Sequence, residues 1–321
     1  MTDPHFEVFT LGETMVRFTP KGFTRLEESA ELELRVGGSE SNVAVALARL
    51  GMRAAWGSKL PRNPLGALTA RRIHSFGVDV SHVKWVDDAR MGLYFIEPGP
   101  APRSSLVLYD RSRSAASTMT PDDFDWSVLD RSRHLHLTGI TPALSPTALE
   151  TVTRAVSEAR ARKKTVSFDV NYRARLWPAE LARETLLPLL RGVDLLICTA
   201  ADCLQLFGLS GTPEQFSEGM ARLTGSPRIA LTLGADGAIL RESESFHRVA
   251  GFPVQPVDRV GAGDAFDAGL LWGFLNGDTP RGLEVGMAMA AIKHTIPGDE
   301  FISSMAEVEA LLHTGHRDIQ R

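Results

Sequence analysis

The chain has 321 residues, 43% of them hydrophobic, and a formal net charge of -4. This length allows one large α/β domain or two ordinary ones, and the lack of a basic tail or Lys/Arg-rich block argues against nucleic acid as a partner. Two cysteines are too few for a disulfide framework or a zinc site. No segment approaches the ~18 apolar residues of a membrane span, and residues 1–5 lack a signal-peptide pattern. We therefore expect a soluble cytoplasmic protein with no membrane partner.

The first third of the chain predicts short strands and one helix. Residues 7–12, 14–20 and 32–36 have the composition of strands, the last with alternating apolar and polar side chains. A helix is expected from Ser39 to Leu50, because its apolar residues follow the helical period and Gly51 is a typical stop. Two further strands are expected at 92–97 and 105–110, on either side of a loop rich in proline and glycine.

From about residue 130 strands and helices alternate. Strands are expected at 134–137, 165–169, 194–198 and 229–233, and helices at 146–162, 179–190 and 212–223. This order predicts right-handed βαβ units and an α/β fold with a mostly parallel sheet covered on both faces. The early strands do not follow that rhythm. They predict a small β-sheet lid, with strands within 14–36 and 90–112, on a single domain that spans residues 1–321.

The strongest local signal is the turn Gly261-Ala262-Gly263-Asp264, which precedes an almost wholly apolar helix ending near residue 275. Two glycines around a small residue let the backbone turn tightly at a helix N-terminus, where free N–H groups and the helix dipole bind anions. Asp264 could cap that helix. Alternatively it could accept the proton of an attacking hydroxyl while the turn stabilises a transferred phosphoryl group.

Two motifs, in order and well separated, resemble those of the PfkB, or ribokinase-like, carbohydrate kinases. One covers residues 37–51 and the other residues 258–266. The resemblance implies a three-layer α/β/α domain with a β-sheet lid and an enzyme that uses ATP and Mg²⁺ to phosphorylate a sugar. It also implies that Asp264 is the catalytic base, with the backbone N–H groups of Gly261, Ala262 and Gly263 holding the developing charge.

Within that family the chain is most similar to kinases of 2-keto-3-deoxygluconate, through stretches around Glu13, Gly92, Tyr109, Gly139 and Asn171 and through residues 293–299. A sugar acid carries a carboxylate and a keto group, so cations and hydroxyl donors suit it. Each arginine alone could instead be a solvated surface charge. The resemblance implies a sugar pocket formed by Gly38, Asn42, Tyr94, Tyr109, Arg111, Ile140 and Arg173.

The same resemblance implies a nucleotide site and a metal site. The expected metal ligand is Asp202, acting through water. The turn at 234–237 is expected beside the ATP phosphates, although alone it could equally be an ordinary hairpin. Nucleotide contacts are expected from Asn171, Thr232, Gly234, Gly237, Gly261 and Gly263.

Three places depart from the pattern of the subgroup: Asp110, the Thr199–Asp202 segment, and Arg259. The alternatives to a sugar-acid kinase are a kinase for a neutral sugar such as fructose or ribose, and a non-catalytic regulator that binds nucleotide or sugar. The sequence does not separate the gluconate from the galactonate epimer. Exposed lid strands also suggest a homodimer or higher homo-oligomer formed through the lid.

Overall fold

The computed structural model describes residues 5–314. The limits of the predicted domain, residues 1 and 321, and most of the N-terminal segment tested for a signal peptide lie outside the described residues. Between residues 5 and 314, no helix has the length and apolarity needed to cross a membrane. The single domain over the full chain and the cytoplasmic location stay predictions.

The strands and helices alternate along much of the chain. The strands are β1 (Phe6–Leu11), β2 (Met15–Pro20), β3 (Leu32–Gly37), β4 (Ala54–Pro61), β5 (Val83–Val86), β6 (Leu93–Glu97), β7 (Leu106–Asp110), β8 (Ser132–Thr138), β9 (Thr165–Asp169), β10 (Leu195–Thr199), β11 (Arg228–Thr232), β12 (Ala238–Glu242) and β13 (Ser245–Val249). The helices are α1 (Ser39–Arg49), α2 (Pro64–His74), α3 (Pro146–Ala161), α4 (Ala179–Leu190), α5 (Ala200–Gln205), α6 (Pro213–Thr224), α7 (Ala262–Leu275), α8 (Thr279–His294) and α9 (Met305–Thr314).

Nine of these strands form one sheet in the order β13-β12-β11-β10-β9-β8-β1-β4-β5. All neighbouring pairs from β11 to β5 are parallel, and only β12 and β13 run antiparallel at one edge. The mostly parallel sheet predicted from the sequence is therefore confirmed. A hairpin at 234–237 was one of two interpretations of that turn, whereas the strands β4, β5 and β13 had not been predicted.

Successive strand residues point to opposite faces of this sheet, and helices cover both faces. Val8 belongs to the core formed with α1, α2, α7, α8 and α9, whereas Phe9 belongs to the core formed with α3, α4 and α6. The fold is thus the expected three-layer α/β/α arrangement.

The lid is a second sheet of four strands in the order β3-β2-β6-β7, as predicted. Its strands pair antiparallel except for β2 and β6, which are parallel. Met15 and Arg17 of β2 and Tyr94 of β6 are buried and lie on the same face of this sheet. This buried face of the lid is turned toward the main domain.

Helices α7 and α8 pack against each other through glycines, which lets their backbones come into direct contact. A Cβ placed on Gly273 would lie 2.2 Å from the Cα of Gly282, and one placed on Gly269 would lie 2.5 Å from the Cα of Gly286. Larger residues at these positions would force the helices apart. The contact fixes α7 against the rest of the domain.

We therefore expect Gly273→Ala to lower the free energy of unfolding by roughly 1–3 kcal/mol, since the added methyl group meets backbone that cannot move aside. Urea denaturation measures the change. The matched control is Gly263→Ala in the same helix, where an added Cβ would meet no atom within 4 Å. That variant should unfold at the same or a higher urea concentration, and equal effects of the two substitutions would contradict the packing argument.

Candidate active site

The N-terminus of α7 is shaped by a backbone conformation that only glycine adopts easily. Gly261 precedes the helix with φ 81° and ψ 0°, in the left-handed region. A Cβ at this position would also lie 1.9 Å from the backbone oxygen of Asp299. No side chain caps the helix, so its first N–H groups are left for an anion.

Asp264 lies in the first turn of α7, but it does not cap that helix. One carboxylate oxygen accepts a hydrogen bond from the Ser39 hydroxyl at 2.6 Å, and the other accepts one from the Asn42 side-chain amide at 2.7 Å. The cap interpretation is therefore wrong. Burial raises the pKa of Asp264, although the bonds from Asn42 and Ser39 and the charge of Arg173 oppose the shift. A carboxylate with a raised pKa is a stronger base.

Ser39 and Asn42 reach Asp264 because Gly38 precedes α1 in an extended conformation and brings the first turn of that helix close to α7. Ser39 also accepts a hydrogen bond from the Asn171 side chain at 3.0 Å. Asn171 follows β9 with a φ of 40°. Both donors to Asp264 thus come from α1, and Asn171 holds one of them from the loop after β9.

These groups line one cleft of about 640 Å³ between the lid and the C-terminal ends of the strands. The predicted site residues that line it are Gly38, Asn42, Tyr94, Tyr109, Arg111, Ile140, Asn171, Arg173, Asp202, Thr232, Gly261, Gly263 and Asp264. Ala262, Gly234 and Gly237 do not line it. Most of the residues selected from the sequence therefore meet in one place, although they come from both sheets and from several loops.

Two arginines of the cleft differ in how their charge is balanced. Arg111 is paired with the buried carboxylate of Glu13, which also accepts a hydrogen bond from Ser114. Arg173 is exposed and makes no ion pair within the described part of the chain. Its charge lowers the pKa of Asp264. Arg173 therefore presents a cation that lies near several carboxylates but is in no ion pair among the described residues, whereas Arg111 is half of a neutral pair.

The lid contributes two tyrosines, whose rings stack with their centroids 6.0 Å apart. Tyr94 is buried and donates a hydrogen bond to Asp299 at 2.6 Å, while Tyr109 is exposed. Asp110 points away from the cleft and forms an ion pair with Arg90 at 2.6 Å. Its negative charge, which departs from the subgroup pattern, is thus kept from the sugar side.

The turn at 234–237 connects β11 to β12, and these strands are antiparallel. The hairpin interpretation of this turn is therefore confirmed. Thr232, at the end of β11, is the member of this segment that lines the cleft. Arg259, which also departs from the family pattern, is exposed on the cleft two residues before Gly261.

Several buried carboxyl groups lie at the ends of β9 and β10. Asp202 closes a capping box with Thr199, in which each side chain accepts a hydrogen bond from the other's backbone N–H at 2.9 Å. Burial, followed by the negative charge of the neighbouring Asp169, raises the pKa of Asp267. Burial, followed by the charge of Asp202, raises the pKa of Asp169. Burial also raises the pKa of Asp202.

The charge of Arg173 opposes these shifts at Asp169 and Asp202, but Arg173 forms no ion pair with either carboxyl group. The Oδ2 atom of Asp267 is buried without a hydrogen-bond partner among the described residues. No three His, Cys, Asp or Glu side chains in residues 5–314 converge as a complete metal site. A cation that brings its own ligands would fit, since Mg²⁺ is usually held by one or two carboxylates together with water and phosphate oxygens.

Four residues of the cleft had no role in the sequence-based prediction: Glu13, Asp169, Asp267 and Asp299. Glu13, Asp169 and Asp299 lay within the motif stretches that carried the resemblance, but nothing local indicated their partners. Asp267 is one turn after Asp264 in a helix that is apolar almost throughout. A carboxylate in such a helix is the one signal that could have drawn attention to it.

Comparison with known proteins agrees with this geometry. Residues 6–303 match the model of the pfkB family carbohydrate kinases. The chain is 38% identical to a 2-dehydro-3-deoxygalactonokinase of Haloferax volcanii, covering 98% of this chain and 99% of the relative. It is 33% identical to a 2-dehydro-3-deoxygluconokinase of Bacillus subtilis, covering 91% of each.

The crystal structure of 2-dehydro-3-deoxygluconokinase from Thermotoga maritima superposes with a TM-score of 0.91. It is 35% identical in sequence, and the alignment covers 98% of this chain and all of that one. The ribokinase-like fold and the carbohydrate kinase predicted from the two motifs are confirmed. The chain belongs to the pfkB family of carbohydrate kinases.

Proposed function

We propose that the protein transfers the γ-phosphate of ATP to the terminal hydroxyl of 2-keto-3-deoxygluconate (2-dehydro-3-deoxygluconate) or its galactonate epimer. The observation that carries this proposal is the position of Asp264. Its carboxylate is oriented by Ser39 and Asn42, lies beside an uncapped helix N-terminus, and faces a cleft that is also lined by Arg173. One relative is named for the galactonate epimer and two are named for the gluconate epimer, which supports this substrate class.

In this reaction Asp264 accepts the proton of the sugar hydroxyl. The hydroxyl oxygen attacks the γ-phosphorus as the bond from that phosphorus to ADP breaks. The N–H groups of Gly261, Ala262 and Gly263 stabilise the charge that develops on the phosphoryl group. The lid covers the cleft during transfer and excludes water that would otherwise hydrolyse ATP.

The acidic substrate is supported by the charges on the sugar side. Arg173, which forms no ion pair among the described residues, can form charge-assisted hydrogen bonds to the substrate carboxylate. Arg111, neutralised by Glu13, serves as a fixed donor to neutral oxygens. A neutral sugar such as fructose or ribose would leave the charge of Arg173 unused, so we favour the sugar acid over that alternative.

ATP would occupy the side of the cleft that includes Thr232, Asn171 and Arg259. Asp202 and Asp169 would hold Mg²⁺ that arrives with the nucleotide, the former through water. When bound, the ion would neutralise phosphate charge. It would also offset the charge of Asp202, which adds to burial in raising the pKa of Asp169. The exposed Arg259 places a further positive charge beside the phosphate-binding turn.

We also propose that a second copy of the chain covers the face of the lid turned away from the cleft. Leu34, Phe18, Phe95 and Leu108 are paired in register and form one continuous row across its four strands. Leu32, Leu34, Leu106 and Leu108 are each 38–46% exposed. Identical apolar faces can bury one another in a twofold dimer.

Replacing Asp264 by Asn should lower kcat by about 10²–10⁴-fold, the usual contribution of a general base. ATP binding should persist, because Asp264 faces the acceptor. Steady-state kinetics and ATP titration measure the two effects. The control is Asp110→Asn, the same change on a lid carboxylate that points away from the cleft. Near-normal turnover in Asp264→Asn would contradict its role as the base.

Replacing Arg173 by Ala should raise the KM for the sugar acid by about 10–100-fold, as expected for losing a hydrogen bond to a charged group. The assay compares 2-keto-3-deoxy sugar acids with neutral hexoses and pentoses. Arg183→Ala, on the exposed side of α4, is the control and should behave as wild type. A wild type that prefers a neutral sugar, and keeps that activity without Arg173, would refute the sugar-acid assignment.

Replacing Leu108 by Glu should shift a lid-mediated dimer toward monomer, because it buries a charge in an apolar interface. Light scattering during size-exclusion chromatography gives the mass. Leu181→Glu changes an equally exposed leucine of α4, 50% exposed, and should leave the mass unchanged. A wild-type monomer, or a dimer that survives Leu108→Glu, would refute the lid interface.

A further inference from the structure

Arg17 is a buried arginine that extends from the lid into the main domain. It lies in the middle of β2 and is only 3% exposed. One terminal nitrogen donates to Asp299 at 2.7 Å, and the other donates to Asp258 at 2.6 Å. Its remaining nitrogen, Nε, donates to the Thr19 hydroxyl at 2.9 Å. The guanidinium group therefore bridges two carboxylates that are far apart in the sequence.

The first carboxylate, Asp258, shapes the turn that leads into the phosphate-binding residues. Its Oδ1 accepts from the backbone N–H of Val260 at 3.1 Å, and its Oδ2 accepts from that of Gly298 at 3.0 Å. Asp258 thus ties the segment before Gly261 to the segment before Asp299. Movement of its side chain would be passed directly to the turn.

The second carboxylate, Asp299, touches both the turn and the lid. Its backbone oxygen fills the space beside Gly261 that a Cβ would need. Its side chain accepts hydrogen bonds from Arg17 and from the Tyr94 hydroxyl. Arg17 of β2 and Tyr94 of β6 are directly paired on neighbouring lid strands.

No other cation bonds to these two carboxylates within the described residues. Lys293 is buried nearby, but its ammonium group donates to the backbone oxygen of Ile296 at 3.0 Å. Arg35, paired with Arg17 in the lid sheet, donates to the backbone oxygen of Pro297 and to the carboxylate of Glu33, each at 3.3 Å. Without Arg17, Asp258 and Asp299 would lose the donor that they share and their connection to β2.

We propose that Arg17 is a positioning residue that couples closure of the lid to assembly of the phosphate-binding turn. The inference rests on the proposed transfer at Asp264. The planar guanidinium group of Arg17 acts as a fork that can bond two carboxylates at fixed directions, whereas a lysine offers a single point charge. When the lid closes, β2 brings the fork to Asp258 and Asp299, and these set the backbone around Gly261.

The coupling has a consequence that a purely structural role lacks. If the lid can cover the sugar while the turn remains loose, sugar transfer slows. If the turn forms while the lid is loose, water can reach the γ-phosphate. Loss of the fork should therefore change the ratio of ATP hydrolysed to sugar phosphorylated, in addition to the rate.

The central test is Arg17→Lys, which keeps the charge and removes the fork. We expect kcat for the sugar to fall on the order of 10–100-fold, the usual effect of a small misplacement of reacting groups. ATP hydrolysed per sugar phosphorylated should rise severalfold, while the melting temperature stays close to that of wild type. Arg35→Met, on the neighbouring strand, is the control and should leave the ratio unchanged.

A second variant approaches the same bridge from the main domain. Asp258→Asn keeps the bond from Arg17 to Asp299 but weakens the connection to the turn, and the ratio should rise in this variant too. Should Arg17→Lys fold poorly, Asp258→Asn still decides the question. A folded variant of either kind with the wild-type ratio and kcat would overturn the inference, as would losses that Arg35→Met reproduces.

The assay uses whichever sugar the wild type phosphorylates fastest, so a wrong substrate leaves the test intact. A wild type that consumes no ATP with any sugar would refute the proposed function and this inference together. An active wild type whose Arg17→Lys variant keeps its kcat and its ratio would refute the inference alone.

Discussion

The active site depends on keeping the buried carboxylate of Asp264 beside the anion-binding N-terminus of α7 without letting either neutralise the other. Burial raises the pKa of Asp264, and the bonds from Ser39 and Asn42 keep its charged form oriented. The positive end of α7 lies beside it and is not capped by any side chain. Both groups need a rigid frame, because a small shift would let the carboxylate cap the helix or repel the phosphate.

The large sheet and its helices provide that frame. Parallel strands end at the same edge, so β9, β10 and β11 bring Asp169, Thr199 and Thr232 to one side of the cleft. The lid completes the other side with Tyr94, Tyr109 and Arg111. The lid and the strand ends therefore form the two walls of one cleft.

Sequence reasoning was most successful where the signal is local. The helical period of α1, the apolar helix after Asp264 and the alternation of strands and helices each depend on neighbouring residues, and all were found. The role of Arg17 could not be predicted, since its partners Asp258 and Asp299 are 241 and 282 residues away. For the same reason the sequence left open whether Asp264 caps its helix, because Ser39 and Asn42 lie on another element. The compensation of Arg111 by Glu13 also required the fold.

The glycine contact between α7 and α8 bears on how this protein could acquire new substrates. Backbone packed on backbone leaves α7 no freedom to adapt, so the phosphate chemistry is insulated from changes elsewhere. The residues proposed to contact the sugar lie largely on the lid and on loops, which tolerate substitution. Directed evolution of substrate range should therefore accumulate changes in β6, β7 and the segment after β9 while α7 and α8 stay untouched.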